Sequence, residues 1–273
     1  MVQDMIAKAS LLHRCASVAG ARHRVSARNS QDAVATWVAS DQTWALAVVC
    51  DGCGSQPHSE FGALWGRQAW SLAVQRAVAT GLSLVSPTFW STVCADVEAA
   101  LTMLTAQCSG SDERNRAIFV QQHLLFTSLV GVVHDQTVSV LALGDGVALL
   151  GDEIFEFGPW ADNAPPYLAY VILDPTFAPI SIANVVTRAR TDVGRLALAS
   201  DGIADFLGGL RGLLTQRVIG NPDGLRRALE LAARATEHID WAEQCMQRIP
   251  GWLQDDTAVA LLQWPAPPRT EAL

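Results

Sequence analysis

Three times in this chain an apolar strand-like segment runs into an aspartate that is followed at once by glycine. WALAVVC precedes Asp51-Gly52, VSVLALG precedes Asp145-Gly146, and RLALAS precedes Asp201-Gly202. In two further places the order is reversed, with Asp255-Asp256 leading into TAVALLQW and Gln31-Asp32 leading into AVATWV. Strand ends that share one edge of a sandwich converge in space even when they are far apart in sequence. Converging carboxylates repel one another unless cations neutralise them. Hard divalent ions such as Mg2+ or Mn2+ suit that role, because they take carboxylate, carbonyl and water oxygens. Glycine after the acid fits, since a backbone without Cβ can approach an ion and offer its carbonyl. A single Asp-Gly pair is ordinary hairpin chemistry. Three of them, each behind an apolar strand and two leading into helical sequence, point instead to a cation site lined by acids.

The elements that must position these acids are legible as periodicity. Apolar, β-branched segments come in pairs: Ala33 to Ser40 with Thr43 to Cys50, Leu124 to His134 with Thr137 to Leu143, and Val147 to Leu150 with Glu153 to Phe157. Links as short as Asp41-Gln42 and Asp135-Gln136 predict antiparallel hairpins. Two helices are expected between the first and second pairs. The first covers Ser59 to Thr80, with Phe61, Leu64, Trp65, Leu72 and Ala73 on one stripe. The second has Ser86 as N-cap and Pro87 at the first helical position, followed by Phe89, Val93, Val97, Leu101 and Leu104 at helical spacing. Strands near Ile182 to Ala189 and Arg195 to Ser200 follow, then helices, one capped at Asn221 with Leu225, Leu229 and Ala232 facing inward, and a closing strand Thr257 to Trp264. This order predicts an α+β fold, a four-layer α-β-β-α sandwich of two antiparallel sheets flanked by helix pairs. Residues 1–264 are expected to form one domain, with Pro159 to Pro179 as an irregular surface flap and 265–273 as a disordered tail.

Composition narrows the partners. Half of the 273 residues are apolar and 17% are charged, enough for a large core and too little polarity for a disordered chain. With 19 basic against 27 acidic residues the net charge is −8, which repels a phosphate backbone, so nucleic acid is not an expected partner. The longest nearly apolar stretch, Leu124 to Val133, is too short to cross a bilayer. The opening MVQDMIAKAS lacks the basic start and apolar centre of a secretory signal, so a cytoplasmic protein with reduced cysteines and no membrane association is expected. Cys50 and Cys53 form a lone C-x-x-C without a second ligand pair and read as structural.

Taken in order, Asn29-Ser30-Gln31-Asp32-Ala33, Val49-Cys50-Asp51-Gly52-Cys53-Gly54, Phe126-Thr127-Ser128, Leu143-Gly144-Asp145-Gly146, Ser200-Asp201-Gly202-Ile203-Ala204-Asp205 and Asp255-Asp256-Thr257-Ala258-Val259 resemble the motif set of the metal-dependent protein phosphatases, the type 2C Ser/Thr phosphatase family. The divergent bacterial branch, in which a Gly-x-x-His element (here Gly20 to His23) precedes Gln-Asp-Ala, is the most similar. The resemblance implies two Mn2+ or Mg2+ ions at one end of the sandwich. Asp51 would bridge them, Gly52 would offer its carbonyl, Asp201 and Asp255 would complete one site, and Asp32 would hold a water from behind. With Asp201, Asp145 matches a third and weaker metal position. The implied reaction is attack of a metal-activated water on a phosphoserine or phosphothreonine, and the implied partners are a phosphorylated protein substrate and a Ser/Thr kinase or its target.

Three positions depart from the family pattern. Gln31 stands where an acid is common, Ala27 where many members carry a phosphate-clamping arginine, and Cys53 where eukaryotic members carry a histidine. Arg28, His23 and Arg24 are the candidate phosphate contacts that remain nearby, and a solvated basic loop is the competing reading. The departures motivate the alternative of a catalytically weak or inactive module of the same fold that binds a phosphorylated partner or kinase.

Overall fold

The structure, a computed structural model, describes residues 11–161 and 164–264. In chain order the elements are β1 (Leu12–Val18), α1 (Ala21–Val25), β2 (Asp32–Val38), β3 (Trp44–Gly52), α2 (Ser59–Ala79), α3 (Thr88–Ser109), α4 (Glu113–His123), β4 (Phe126–His134), β5 (Thr137–Leu143), β6 (Gly146–Leu150), β7 (Glu153–Phe157), β8 (Asn184–Ala189), β9 (Arg195–Ala199), α5 (Gly209–Leu213), α6 (Gln216–Ile219), α7 (Gly224–Ala233), β10 (Thr236–Asp240), β11 (Cys245–Ile249) and β12 (Thr257–Gln263). One sheet runs β2-β3-β4-β5-β8 and the other β1-β12-β9-β6-β7, and all their pairings are antiparallel. Among the described residues β10 and β11 form a separate two-stranded sheet.

The period-2 alternation of the strands builds the layers. In β3, Ala45, Ala47 and Val49 enter the seam between the sheets, where they join Leu196 and Leu198 of β9 and Ala258, Ala260 and Leu262 of β12. The alternate residues Leu46, Val48 and Cys50 face α2 and α3. On the far side Ala197, Ala199, Val259 and Leu261 pack against Leu210 of α5 and Leu225 and Leu229 of α7. Two buried indoles are satisfied by serines of the first sheet: Trp70 Nε1 donates to Ser128 Oγ and Trp90 Nε1 to Ser139 Oγ, both at 2.9 Å. Each bond contributes about 1 kcal/mol, and more would be lost if either indole were left unpaired.

The expected layers are present, with local corrections. In α2 the buried side is not the stripe of large residues: Leu64, Trp65 and Leu72 are exposed, and Ala63, Gly66, Ala69, Trp70, Ala73 and Ala77 are buried. The reason is close approach. A Cβ at Gly66 would stand 2.2 Å from the Phe126 ring, so only a small-residue stripe lets this helix lie against the sheet. The second helix does bury Phe89, Val93, Val97, Leu101 and Leu104, but begins at Thr88, one residue later than expected. The strand expected from Ile182 is shorter, because 179–181 form a 3-10 turn before β8. Within the stretch expected as an irregular surface flap, Pro159 to Pro179, Leu168 enters the core under α2 and α3, while Tyr167 and Ala169 pack beside α4. Neither β1 nor α4 was apparent from the sequence, since LHRCASV and ERNRAIFVQQH are polar enough to obscure their periodicity. The expected tail 265–273 lies outside the described residues.

Candidate metal centre

Strand register decides which acids meet. In the β2-β3 ladder Asp32 lies directly opposite Asp51, and in the β3-β4 ladder Asp51 lies opposite Thr127. Asp51 shares the side of β3 used by Ala45, Ala47 and Val49, so it caps the inter-sheet seam at its open end. The second sheet ends at the same pole: Ala199 pairs with both Val147 and Val259, which brings together the end of β9 and the starts of β6 and β12. Asp145, Asp201 and Asp255 flank those three strand ends. The result is a pocket of about 260 Å3 lined by Asp51, Gly52, Asp145, Asp201, Asp255 and Asp256, with Gln31, Cys53 and Tyr167 among its other walls.

The acids stand in different surroundings. Asp32 is buried below Asp51; one carboxylate oxygen accepts a 2.6 Å hydrogen bond from Ser200 Oγ and the other, Oδ1, has no partner. The Ser200 hydroxyl in turn accepts from the Ala258 N–H at 2.9 Å, which fixes its direction. Burial pushes the Asp32 carboxyl up to about 7, opposed by Ser200 and reinforced by the charge of Asp256. Asp51 lies within hydrogen-bond reach of Asp32 and Asp201, and is held well above the usual carboxylate range by burial and then by the charges of those two acids. Desolvation also raises Asp201, with Asp255 adding repulsion, and raises Asp145, with Asp201 adding repulsion. Among the described residues no arginine or histidine forms an ion pair with Asp32, Asp51, Asp145, Asp201 or Asp255.

The neighbouring acid plays another part. Asp256 is buried and accepts from the Gln31 N–H at 2.6 Å, the Gly20 N–H at 2.8 Å and His23 Nδ1 at 2.7 Å. It therefore bolts the start of β2, the turn before α1 and the start of β12 together, while Asp255 stays open to the pocket. Sequence reasoning singled out Asp255 and gave Asp256 no role, so this bracing was missed. The Gly52 position also has a second reason to lack a side chain: a Cβ there would meet the Gln31 carbonyl at 2.7 Å and Ser59 at 2.9 Å.

The three candidate phosphate contacts each have a protein partner in the structure. His23 is engaged by Asp256, because that buried carboxylate needs donors. Arg24 reaches the Ala19 carbonyl and Glu230, the latter at 2.8 Å, on a different face. Arg28 donates to the Gln56 carbonyl at 3.1 Å beside the pocket. Cys53 lines the pocket, whereas Cys50 points into the helix-facing core with its thiol pushed up to about 12 by burial, so the C-x-x-C pair shares no surface. Tyr167 is a pocket wall that sequence reasoning missed, since nothing in its local pattern shows that the segment folds back on the site.

The residues present suit hard divalent ions on three observations: the proposed ligands Asp51, Gly52, Asp145, Asp201 and Asp255 offer oxygens, none of those acids is ion-paired among the described residues, and two buried oxygens, Asp32 Oδ1 and Gln31 Oε1, have no partner. Among the described residues no three His, Cys, Asp or Glu side chains stand as a preformed ion cage. The contacts among Asp32, Asp51 and Asp201 would open to admit an ion.

Comparison with known proteins agrees with this architecture. The sequence profile described as Protein phosphatase 2C matches residues 19–219, and the chain belongs to that family. No curated protein sequence matches it. Among solved structures, a bacterial serine phosphatase covers 93% of this chain and 98% of its own at 13% identity and a TM-score of 0.53. The Ser/Thr phosphatase Stp1 of Staphylococcus aureus covers 93% and 95% at 12% identity and a TM-score of 0.54. The Mycobacterium tuberculosis Ser/Thr phosphatase PstP covers 93% and 98% at 17% identity and a TM-score of 0.50. At these identities the likeness establishes a shared fold. Among the described residues no helix is long and apolar enough to cross a membrane, and all six cysteines are free.

Proposed function

We propose that this chain is a metal-dependent phosphoprotein phosphatase acting on phosphoserine and phosphothreonine, with residues 1–264 as its phosphatase domain. The observation that carries the reading is a pole where Asp51, Asp145, Asp201 and Asp255 converge on one pocket, none of these four forming an ion pair among the described residues. Asp51, the Gly52 carbonyl, Asp201 and Asp255 would hold two Mn2+ or Mg2+ ions, and Asp145 with Asp201 would hold a third. When bound, the ions supply activation of water and neutralisation of the charge on the phosphoryl oxygens. The chain's own groups do the rest. Asp51 sits across the middle of the pocket, in reach of Asp32 below and Asp201 beside it. Asp32, aimed by Ser200, presents an oxygen that can take or hold a proton near neutral pH, which suits a group that orients the attacking water. Gln31 offers an amide oxygen without charge, so the affinity for one ion is lower than an acid would give. Cys53 and Tyr167 form the wall over which a phosphorylated side chain enters.

The test is a calorimetric titration with Mn2+ beside release of phosphate from a phosphoserine peptide and from a generic aryl phosphate. Ion binding with turnover of the peptide is the expected result. Ion binding with turnover of the aryl phosphate alone would redirect the reading to small phosphorylated molecules. Neither binding nor turnover would establish the alternative, a module of this fold that recognises a partner without hydrolysing it, which the uncharged Gln31 favours.

A further inference from the structure

A second cavity, of about 820 Å3, lies apart from the carboxylate pocket. It is a groove between α1, the end of α7 and the base of the β10-β11 hairpin, with Val25 and Leu231 exposed along it. Its charged lining is Arg24, Arg234 and Arg248 against Glu237, on a protein whose net charge is −8. Arg24 is paired with Glu230, but Arg234 and Arg248 have no ion pair among the described residues. The hairpin extends the groove. Glu237 lies opposite Arg248 and Ile239 opposite Met246, so the period of two puts all four side chains on the one face that borders it. Ile239 and Met246 are exposed, as are nearly all residues of both strands. A two-stranded sheet that stands alone is marginal in water, and an apolar cross-strand pair beside free arginines gives a partner both area and charge to engage.

We propose that this groove docks an acidic, apolar segment of a partner protein, with its acids on Arg234 and Arg248 and its apolar side chains on Ile239 and Met246. Charge complementarity selects this occupant: three arginines line the groove against the single Glu237, and Arg234 and Arg248 form no ion pair among the described residues. The position is also useful. Arg22, on the same short helix as Arg24 and Val25, lines a small cavity with Asp201 and Asp255, so a docked segment lies one helix away from the carboxylate pocket.

The experiment is fluorescence anisotropy on the full chain with two labelled peptides of equal length, one alternating glutamate with leucine and the other lysine with leucine. The glutamate peptide should bind and the lysine peptide should not, with affinity falling as salt rises. Arg234→Glu with Arg248→Glu should weaken binding at least about tenfold, as should Ile239→Asp with Met246→Asp. All four positions are exposed, and an unchanged unfolding midpoint will show that the variants fold. Equal binding of both peptides, or of wild type and variants, overturns the proposal. Two other outcomes also overturn it: self-association that Met246→Asp abolishes, which makes a second copy the occupant, and tighter binding to phosphatidylserine vesicles than to the peptide. Metal and phosphate do not enter the measurement, so its result is independent of the phosphatase reading.

Discussion

Asp32 and Asp223 are the same residue in opposite circumstances. Asp32 is sealed at the end of the inter-sheet seam, faces other acids and is pushed up to about 7 by burial. Asp223, at the start of α7, is half-exposed, accepts from Arg226 and Arg227 at 2.7 Å, and is drawn down to about 2 by those hydrogen bonds. The surface acid has its counter-charge within its own helix. Asp32, Asp51, Asp145, Asp201 and Asp255 have no ion pair among the described residues, although the chain keeps several arginines nearby and directs them elsewhere. An acid that is desolvated without a cation destabilises the fold it sits in, so the carboxylate pole is where this protein holds unsatisfied charge for a ligand.

That contrast can be broken in order of effect. Asp51→Asn or Asp201→Asn should reduce Mn2+-dependent phosphate release from a phosphopeptide by roughly a thousandfold or more, since each removes charge that would hold the ions. The same substitutions should leave the metal-free protein no less stable in urea, because they remove repulsion; an unchanged rate would remove the metal assignment. Asp256→Ala should do the reverse of a pocket acid. It strands the Gly20 and Gln31 amides in a buried place and should cost about 3 kcal/mol in urea unfolding.

The third effect is in pH. Asp32 holds a proton to about 7 in the folded chain, well above the ordinary value of 3.8, so between those limits the folded state binds more protons than the unfolded one. Stability contributed by this group is present in full below pH 4 and is lost as pH rises towards 7. Thermal melting of the metal-free protein should show that decline, Asp32→Asn should flatten it, and saturating Mn2+ should offset it. Apparent Mn2+ affinity should rise over the same window, because ions and protons compete for the same oxygens. The smallest effect belongs to the surface pair: Asp223→Ala should leave the urea midpoint and the metal affinity unchanged within error, as exposed ion pairs contribute little. A large change there would mean that the two regions do not differ as described.

The sequence was informative about the pole and poor about its surroundings. Asp-Gly at the ends of apolar strands marks strand termini locally, and those residues do share one end of the sandwich. The stripe assigned to α2 failed because helical periodicity reports which residues are apolar, not how near the sheet comes. A spacing set by Gly66 against Phe126 is a property of two elements. The bracing role of Asp256 was not legible, because its three donors come from residues more than 200 positions away. His23 and Arg24 looked like phosphate contacts by proximity in sequence to Asp32, and long-range partners claim both.

By itself, the chain of residues determined the alternation that assigns each strand's two faces, the turn chemistry that ends the strands in acids, and so the family. Tertiary structure alone decided which acid of a pair is tied to distant backbone, which arginines are ion-paired, and that a polar hairpin beside α7 opens a groove. The reason is the range of the interactions: side-chain alternation is fixed by neighbouring residues, whereas burial and pairing are fixed by strands such as β1 and β12, which meet from opposite ends of the sequence.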